Sequence, residues 1–568
     1  MSQIQSKINY FIRNRKVHYA AFILLLFGIT LHTIHGQGIS IDYEKTGYMQ
    51  VHNYRSTTDI INNNFVVADV RITRCMRGFR CSQPKEDVPN GYWERMPHKL
   101  NLFQDGFSLF NYYMYVAKAK GSLSSRFVVD ISFTYSNKEP TTGMEGSKWT
   151  LQRLYQEAYM WINYFDTPEF HIPIVRDINV LYGKQDLFDN RPHWKFESAA
   201  IILPVKQTIH CTISALRIQI NQESSILSAE QEFDLVLKKN GIFVTSDPIV
   251  KVIQISDLHI NQGDGACFEK CKFDKGTLDF MRDAFDAESG NKLIVITGDM
   301  IDYMSSPHYE SVILKAVAPI LKAQIPFVFV FGNSDYDMMD SNTKLNVYNF
   351  IASLPGCYNQ KISDLDHRMH GISNGNINIY QIPPLENNQS PDYNALDLTK
   401  PQAMITYLDS ALIHIDDSQA NYLYRLNHHH NEDVEQKLLF FHHPLPNFRP
   451  SGKVKLIGTY NEKHYLQTST DKKILLDIKA AGYKVVGVGH EHENDACIWD
   501  EDDKDMILLC YSGVTGESAI RRLDSQYKRR LRVFQLDFEK NHILSWKRDP
   551  ERQFDPQEIW SEPVNPIV

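Results

Sequence analysis

Two patterns of apolar and polar positions divide this chain. Between about residues 40 and 245 the apolar residues fall in short runs such as "NFVVADVRI", "RFVVDISFTY" and "SALRIQINQ". Their β-branched and aromatic content, interleaved with polar residues, predicts strands. The stretch "WTLQRLYQEAYMWINYF" interrupts them with spacing that reads as helix. From about residue 250 the pattern changes. Apolar runs now alternate with helical spacing, as at Leu278, Met281 and Phe285, and a polar motif follows each run. "KVIQIS" precedes "DLH", "KLIVIT" precedes "GD" and "PFVFVF" precedes "GNSD"; later "KLLFF" precedes "HHPLP" and "YKVVGV" precedes "GHEHEND". Strands alternating with helices, with polar residues just past the strand ends, predict a layered α/β fold. The expected organisation is a strand-rich N-terminal domain over 40–245, an α/β domain over 248–550 and a C-terminal tail over 551–568.

The first residues carry a different pattern. Lys7, Arg13, Arg15 and Lys16 stand without an acidic neighbour, and an uncharged apolar run from Tyr19 to Leu31 follows, extendable to about Gly36. Its length falls between the ~7–15 residues of a signal peptide and the ~20 of a bilayer span. Residues 1–36 are therefore expected to be a cytosolic tail with a signal anchor, or a signal peptide. The positive-inside rule then places a lumenal catalytic part in the secretory pathway, on a single-pass membrane protein, or secreted or vacuolar after cleavage. Cysteine spacing is compatible with that compartment: Cys75 and Cys81 flank "MRGFR", Cys267 and Cys271 flank "FEK", and each pair is close enough to bridge. Asn388-Gln389-Ser390 is a glycosylation sequon in a segment rich in Asn, Pro and Ser.

Composition changes this picture little. With 568 residues, 43% hydrophobic, the chain is long enough for two cores, and with a net charge of -8 nothing points to a broad nucleic-acid-binding surface. "NHHHNED" at 427–433 lacks the cysteine or carboxylate spacing of a metal site and reads as a solvated loop. The N-terminal part holds no cluster of His, Asp or Ser that points to chemistry.

The strand-end motifs do. Asp257, His259, Asp299, Asn333, His442, His490 and His492 are carboxylate, amide and imidazole groups, each beyond an apolar run. Two metals ~3.5–4 Å apart need terminal O and N ligands and one shared carboxylate, and they stabilise an in-line displacement at phosphorus. Imidazole mixed with carboxylate suits Mn, Fe or Zn better than Ca, which prefers oxygen alone. Any one of these motifs is a common turn. Their ordered succession is the signal.

That ordered set, over roughly residues 248–550, resembles the calcineurin-like metallophosphoesterase superfamily. "CYSGVTGE", "RRLRVFQLDF" and "ILSWKR" look like the fungal and plant branch related to purple acid phosphatases, nearest to the fungal dosage-dependent cell-cycle-regulator phosphatases. The resemblance implies a metallophosphoesterase-type layered β-sandwich flanked by helices. It implies phosphomonoester hydrolysis, with phosphoproteins as one substrate class, by metal-activated hydroxide. It also implies two divalent metal ions, one served by Asp257, His259, Asp299 and His492 and the other by Asp299, Asn333, His442 and His490. His443 is a neighbour and substrate contact, and Asn333, Ser334 and His443 are the expected catalytic residues.

Two departures from the family pattern matter. Purple acid phosphatases place a Tyr three residues after the shared carboxylate, where this chain has Asp302 followed by Tyr303, so the iron–tyrosinate colour should be absent. Ser334 replaces the family's His, which holds phosphate and donates a proton to the leaving group. A serine hydroxyl gives only a neutral hydrogen bond, and general acid catalysis is worth ~10²–10⁴-fold. The expectation is a slowed phosphatase; the alternative is a pseudophosphatase acting as a binding or regulatory module.

Overall fold

The computed structural model describes residues 60–561 outside 61–62, 80, 122–125, 144, 167–171, 184–186, 198, 220–235, 261–271, 302–307, 337–339, 361–368, 383–396, 411–414, 429–433, 450–455, 462–472, 501–505, 517–527 and 552–556. These elements belong to one unit, Asn53–Val568.

Antiparallel pairing builds the first part. β1 (Phe65–Met76), β3 (Phe110–Lys120) and β2 (Gly91–Arg95) form one sheet. β4 (Phe127–Thr134), β6 (Ala158–Phe165) and β5 (Lys148–Tyr155) form a second, and β7 (Pro173–Tyr182), β9 (Cys211–Gln219) and β8 (Trp194–Phe196) a third. Alternate residues of all three, among them Val70, Met114, Ile131, Ile162, Ile178 and Ile213, meet in a common core. Cys75 and Cys81 are joined in a disulfide across the turn after β1.

The stretch expected to be helical is a hairpin instead. β5 and β6 pair from Lys148↔Tyr164 to Tyr155↔Ala158, and Gln156 enters the turn with φ 39°. Its aromatic and β-branched side chains pack across strands, where they lose less freedom than against a helical turn. Trp161 and Met160 are buried by that pairing.

The second part is a two-sheet sandwich. Six strands run in the order β13 (Phe327–Val330), β12 (Asn291–Thr297), β11 (Ile249–Ile255), β21 (Leu531–Asp537), β22 (His542–Arg548), β23 (Gln557–Ser561). Eight run in the order β10 (Ile242–Thr245), β14 (Gly375–Gln381), β15 (Ala403–Tyr407), β16 (Gln436–Phe441), β18 (Val485–Val488), β20 (Ile507–Tyr511), β19 (Cys497–Asp500), β17 (Leu456–Ile457). Val252, Val295 and Val328 of the first sheet pack against Ile405, Leu438 and Val485 of the second. The outer face of the larger sheet, with Leu439, Phe441 and Val486, is covered by the helices Asp417–His428 and Lys473–Ala480. The layered sandwich flanked by helices is thus present. In α1 (Lys272–Ala287) Met281 and Phe285 are buried with Phe280 and Ala284, whereas Leu278 lies at the edge of that stripe.

Parallel pairing decides where the loops go. β11, β12 and β13 are parallel, as are β15, β16, β18 and β20. Parallel strands end at the same edge, so the five polar motifs collect at one rim of the sandwich. The two parts meet at α2 (Tyr309–Ala316), where the Tyr182 amide donates to Ser311 Oγ at 2.9 Å and the His308 ring packs edge-on against Phe103 and Tyr182. Burial lowers the His308 imidazole to about 3, so it stays neutral there.

The single-pass membrane expectation is corrected. No helix among the described residues is long and apolar enough to cross a membrane. The longest, α1, has 16 residues, about 24 Å at ~1.5 Å per residue, and carries Asp279, Arg282 and Asp283. The apolar run at 19–36, the sequon at Asn388 and the pair Cys267 and Cys271 lie outside the described residues. Of "NHHHNED", Asn427 and His428 end a helix, with His428 against Tyr424, and the rest also lies outside them.

Candidate metal centre

Each motif begins where a ladder runs on past its strand. The Asp257 amide donates to the Gly298 carbonyl at 3.0 Å and the His259 amide to the Asp299 carbonyl at 3.0 Å, prolonging the β11–β12 pairing into both loops. Asp257, His259, Asp299 and His490 take left-handed backbone, with φ of 55°, 45°, 50° and 70°. A side chain pays for that conformation in steric strain, about 1–2 kcal/mol per residue, and it persists where the surroundings over-determine it. Close approach does so here. A Cβ on Gly332 would lie 2.2 Å from Asp299 Oδ1, and one on Gly489 1.9 Å from Ser256 Oγ.

All seven expected metal-binding side chains come together. His492 Nε2 is 3.3 Å and His259 Nε2 4.0 Å from Asp257 Oδ1. Asp299 Oδ2 lies 3.6 Å from both His259 Nε2 and His442 Nε2, between the two clusters. Asn333 Oδ1 is 3.0 Å from His442 Nε2 and 2.8 Å from His490 Nδ1. Asp257, Asp299 and His442 are buried, while His259, Asn333, His490 and His492 are half-buried at the rim.

The donor set fits cations. Asp257 Oδ1 is buried without a hydrogen bond, although imidazole nitrogens stand near it. His442 Nδ1 lies 2.7 Å from the Thr297 carbonyl, which can only accept, so Nδ1 carries the proton and Nε2 a lone pair. That lone pair faces the Asn333 carbonyl oxygen, a second acceptor. A positive ion among these atoms relieves both arrangements, and the Thr297 bond is the outer contact that orients a ligating imidazole. Burial raises the Asp257 carboxyl, but the adjacent His492, with His442 and His259, holds it below the ordinary range. Burial and His442 lower His490 to about 4, leaving it neutral and able to ligate.

Ser334 sits differently from what its motif implies. Its amide donates to Asp299 Oδ1 at 2.8 Å and its hydroxyl to Asp299 Oδ2 at 2.9 Å. The residue clamps the carboxylate between the two clusters. Asp335, next in the motif, is buried and accepts from the amides of Gly332 at 2.9 Å and Met300 at 3.2 Å, tying the two loops together. Burial, then the nearby Asp299, push its carboxyl well up. Glu491 is buried and held by Arg449 and Asn494, which leaves it bracing the His490 loop. Asp302 and Tyr303 lie outside the described residues.

His443 is half-buried beside the cluster, its Nδ1 3.2 Å from Ser410 Oγ. Burial, with His442 and His490, pushes its imidazole down. Ser410 follows β15 and is not among the residues expected from the sequence. "AMITYL" followed by "DS" is the same apolar-run-then-polar signal as the other five, and it marks the spot.

Comparison with known proteins agrees with this rim. Residues 250–494 match the model of the calcineurin-like phosphoesterase domain. Protein SIA1 of Kluyveromyces lactis is 29% identical over 419 residues, 69% of this chain and 64% of that protein. Phosphatase DCR2 of Saccharomyces cerevisiae is 30% identical over 348 residues, 56% of this chain and 57% of that protein. The chain thus spans less than two thirds of either yeast relative. A protein of Arabidopsis thaliana described as probable inactive purple acid phosphatase 29 is 26% identical over 61% of this chain and 92% of its own length.

Proposed function

Because this chain carries a calcineurin-like phosphoesterase domain over residues 250–494 and is related to the fungal phosphatases akin to purple acid phosphatases, we propose that it hydrolyses phosphomonoesters, phosphoproteins among them, at the strand-end rim. The observation that carries this reading is the convergence of Asp257, His259, Asp299, Asn333, His442, His490 and His492 around an unsatisfied buried carboxylate oxygen. Such a cluster is costly without cations. Asp257, His259, Asp299 and His492 would hold one divalent ion; Asp299, Asn333, His442 and His490 the other. Mn, Fe and Zn suit these donors. When bound, the pair supplies a nucleophile at neutral pH and charge stabilisation for the displacement. We also take 40–245 and 248–550 as separate domains, with the chemistry confined to the second.

The chain's own groups then have definite tasks. Ser334 and its amide hold both oxygens of Asp299, the carboxylate shared by the two sets. Thr297 fixes the His442 tautomer, and the His490 amide anchors Asp257 Oδ2 at 3.0 Å. With its hydroxyl committed to Asp299, Ser334 does not protonate a leaving group. Esters with stable leaving groups, such as aryl phosphates, are therefore the better substrates. That same commitment favours the second reading, a pseudophosphatase that binds phosphorylated ligands without turning them over.

The test is elemental analysis of the purified chain together with turnover of an aryl phosphate. About two transition-metal ions per chain with measurable turnover are expected. Two ions without turnover would select the pseudophosphatase, and a folded chain devoid of metal would remove the two-metal reading and favour a binding module.

A further inference from the structure

One imidazole at the rim has no place in the two ligand sets above. His442, His443 and His490 each present a ring nitrogen, and these three atoms lie within 4.8 Å of one another. The ring of His443 is 4.4 Å from that of His490 and 4.9 Å from that of His442, centroid to centroid. His442 and His443 are consecutive just past the end of β16, with ring planes 88° apart. Behind His443 stands Ser410, whose hydroxyl oxygen accepts the His443 backbone N–H at 3.1 Å and lies 3.2 Å from Nδ1. An oxygen with two lone pairs can accept from both N–H groups. With that pairing the ring carries its proton on Nδ1 and leaves Nε2 as its bare nitrogen.

We propose that His443 is a further ligand of the second metal site, and that Ser410 is the positioning residue that orients it. The inference rests on the two-metal reading above and extends it. One site then draws on three imidazoles and the Asn333 amide, with Asp299 as its only carboxylate. The other draws on Asp257 and Asp299 with two imidazoles. A nitrogen-rich set favours zinc, and a set richer in carboxylate suits Mn or ferrous iron. The two sites are thus unequal, and a mixed metal pair is the natural occupant.

The experiment loads the metal-free full chain with Zn²⁺ and Mn²⁺ in competition, then counts both ions and reads the imidazole number from the zinc X-ray absorption edge. The wild type is expected to hold one of each. His443→Ala and His443→Gln should lower zinc affinity at one site by ~100-fold or more, and Ser410→Ala by ~10-fold, within the range for lost outer contacts. The zinc spectrum should lose one imidazole in both His443 variants while manganese binding stays. Unchanged zinc affinity and imidazole count in those variants would overturn the proposal and leave the phosphatase reading intact. Equal loss of both ions would assign His443 to packing and likewise overturn it. A wild type that binds neither ion would overturn this proposal and the two-metal reading together.

Discussion

The strand-rich part and the sandwich use one backbone device for different ends. Among the described residues of the first, the left-handed non-glycine ones are Asn64, Asn90, Gln156 and His193, each in a turn that leads into a strand. Among the described residues of the second, four of the six, Asp257, His259, Asp299 and His490, are candidate metal-binding side chains, and Gln324 and Asn541 are not. Antiparallel hairpins send successive strand ends to opposite edges, so their turns are divided between the two. Parallel strands send theirs to one edge, where strained residues over-determine one another's positions. Strain in the first part shapes connections. In the second it aims side chains.

The largest break in this comparison should come at the shared carboxylate. Asp299→Asn removes an anionic oxygen that lies 3.6 Å from His259 Nε2 and from His442 Nε2. Most of both ions should be lost, and turnover of an aryl phosphate should fall by about 10³-fold, the upper end for one electrostatic group. Retention of both metal and rate would show that the rim does not depend on Asp299.

Glycines of opposite tightness measure the same contrast in stability. Gly332→Ala drives a Cβ to 2.2 Å from Asp299 Oδ1, so denaturant unfolding should report a loss of about 1–3 kcal/mol together with weakened metal binding. Gly78, at φ +84° in a turn of the first part, has nothing within 4 Å of a built Cβ. Gly78→Ala should cost about 1 kcal/mol from backbone strain alone. Equal costs would erase the distinction.

The junction between the parts should show it in pH. His308 is neutral when folded, lowered by burial to about 3, whereas the unfolded imidazole titrates at ~6.5. Between those values the unfolded state binds the extra proton, so its contribution is complete above ~6.5 and is lost as pH falls toward 3. At pH ~5 this amounts to about 1–2 kcal/mol. Glu310, raised by burial to about 7, acts in the opposite sense: its contribution fades as pH rises from ~4.5 to 7. Melting curves of His308→Phe should therefore lose less stability than the wild type between pH 6.5 and 5. Parallel curves would show that the junction does not titrate.

The smallest expected effect concerns the leaving group. Ser334→His restores a side chain that can donate a proton, and turnover of an alkyl phosphate should rise about tenfold more than that of an aryl phosphate. The Ser334 amide bond to Asp299 uses backbone and survives the change, so metal content at saturation should hold. An equal response of both esters would locate the proton donor elsewhere.

Much of the site was legible because each motif is local: an apolar run declares a strand, and the polar residues beyond it declare a loop. The order of five such motifs pointed to a layered α/β fold and to seven side chains that the fold does bring together. Less was legible where side chains can serve two conformations. "WTLQRLYQEAYMWINYF" has helical spacing and strand-forming residues, and pairing with β4 and with itself settled the matter.

What the sequence by itself determined, then, is the inventory of chemical groups and the strand ends that bear them, because both follow from residue type and short-range pattern. Tertiary structure alone decided what those groups do to one another. The letters "GNSD" do not say that the Ser334 hydroxyl turns onto Asp299, that Asp335 binds the amides of Gly332 and Met300, or that Ser410 stands behind His443. These contacts join residues 33 to 35 positions apart, apart from the Gly332 bond within the motif. Only the parallel register of neighbouring strands sets such distances.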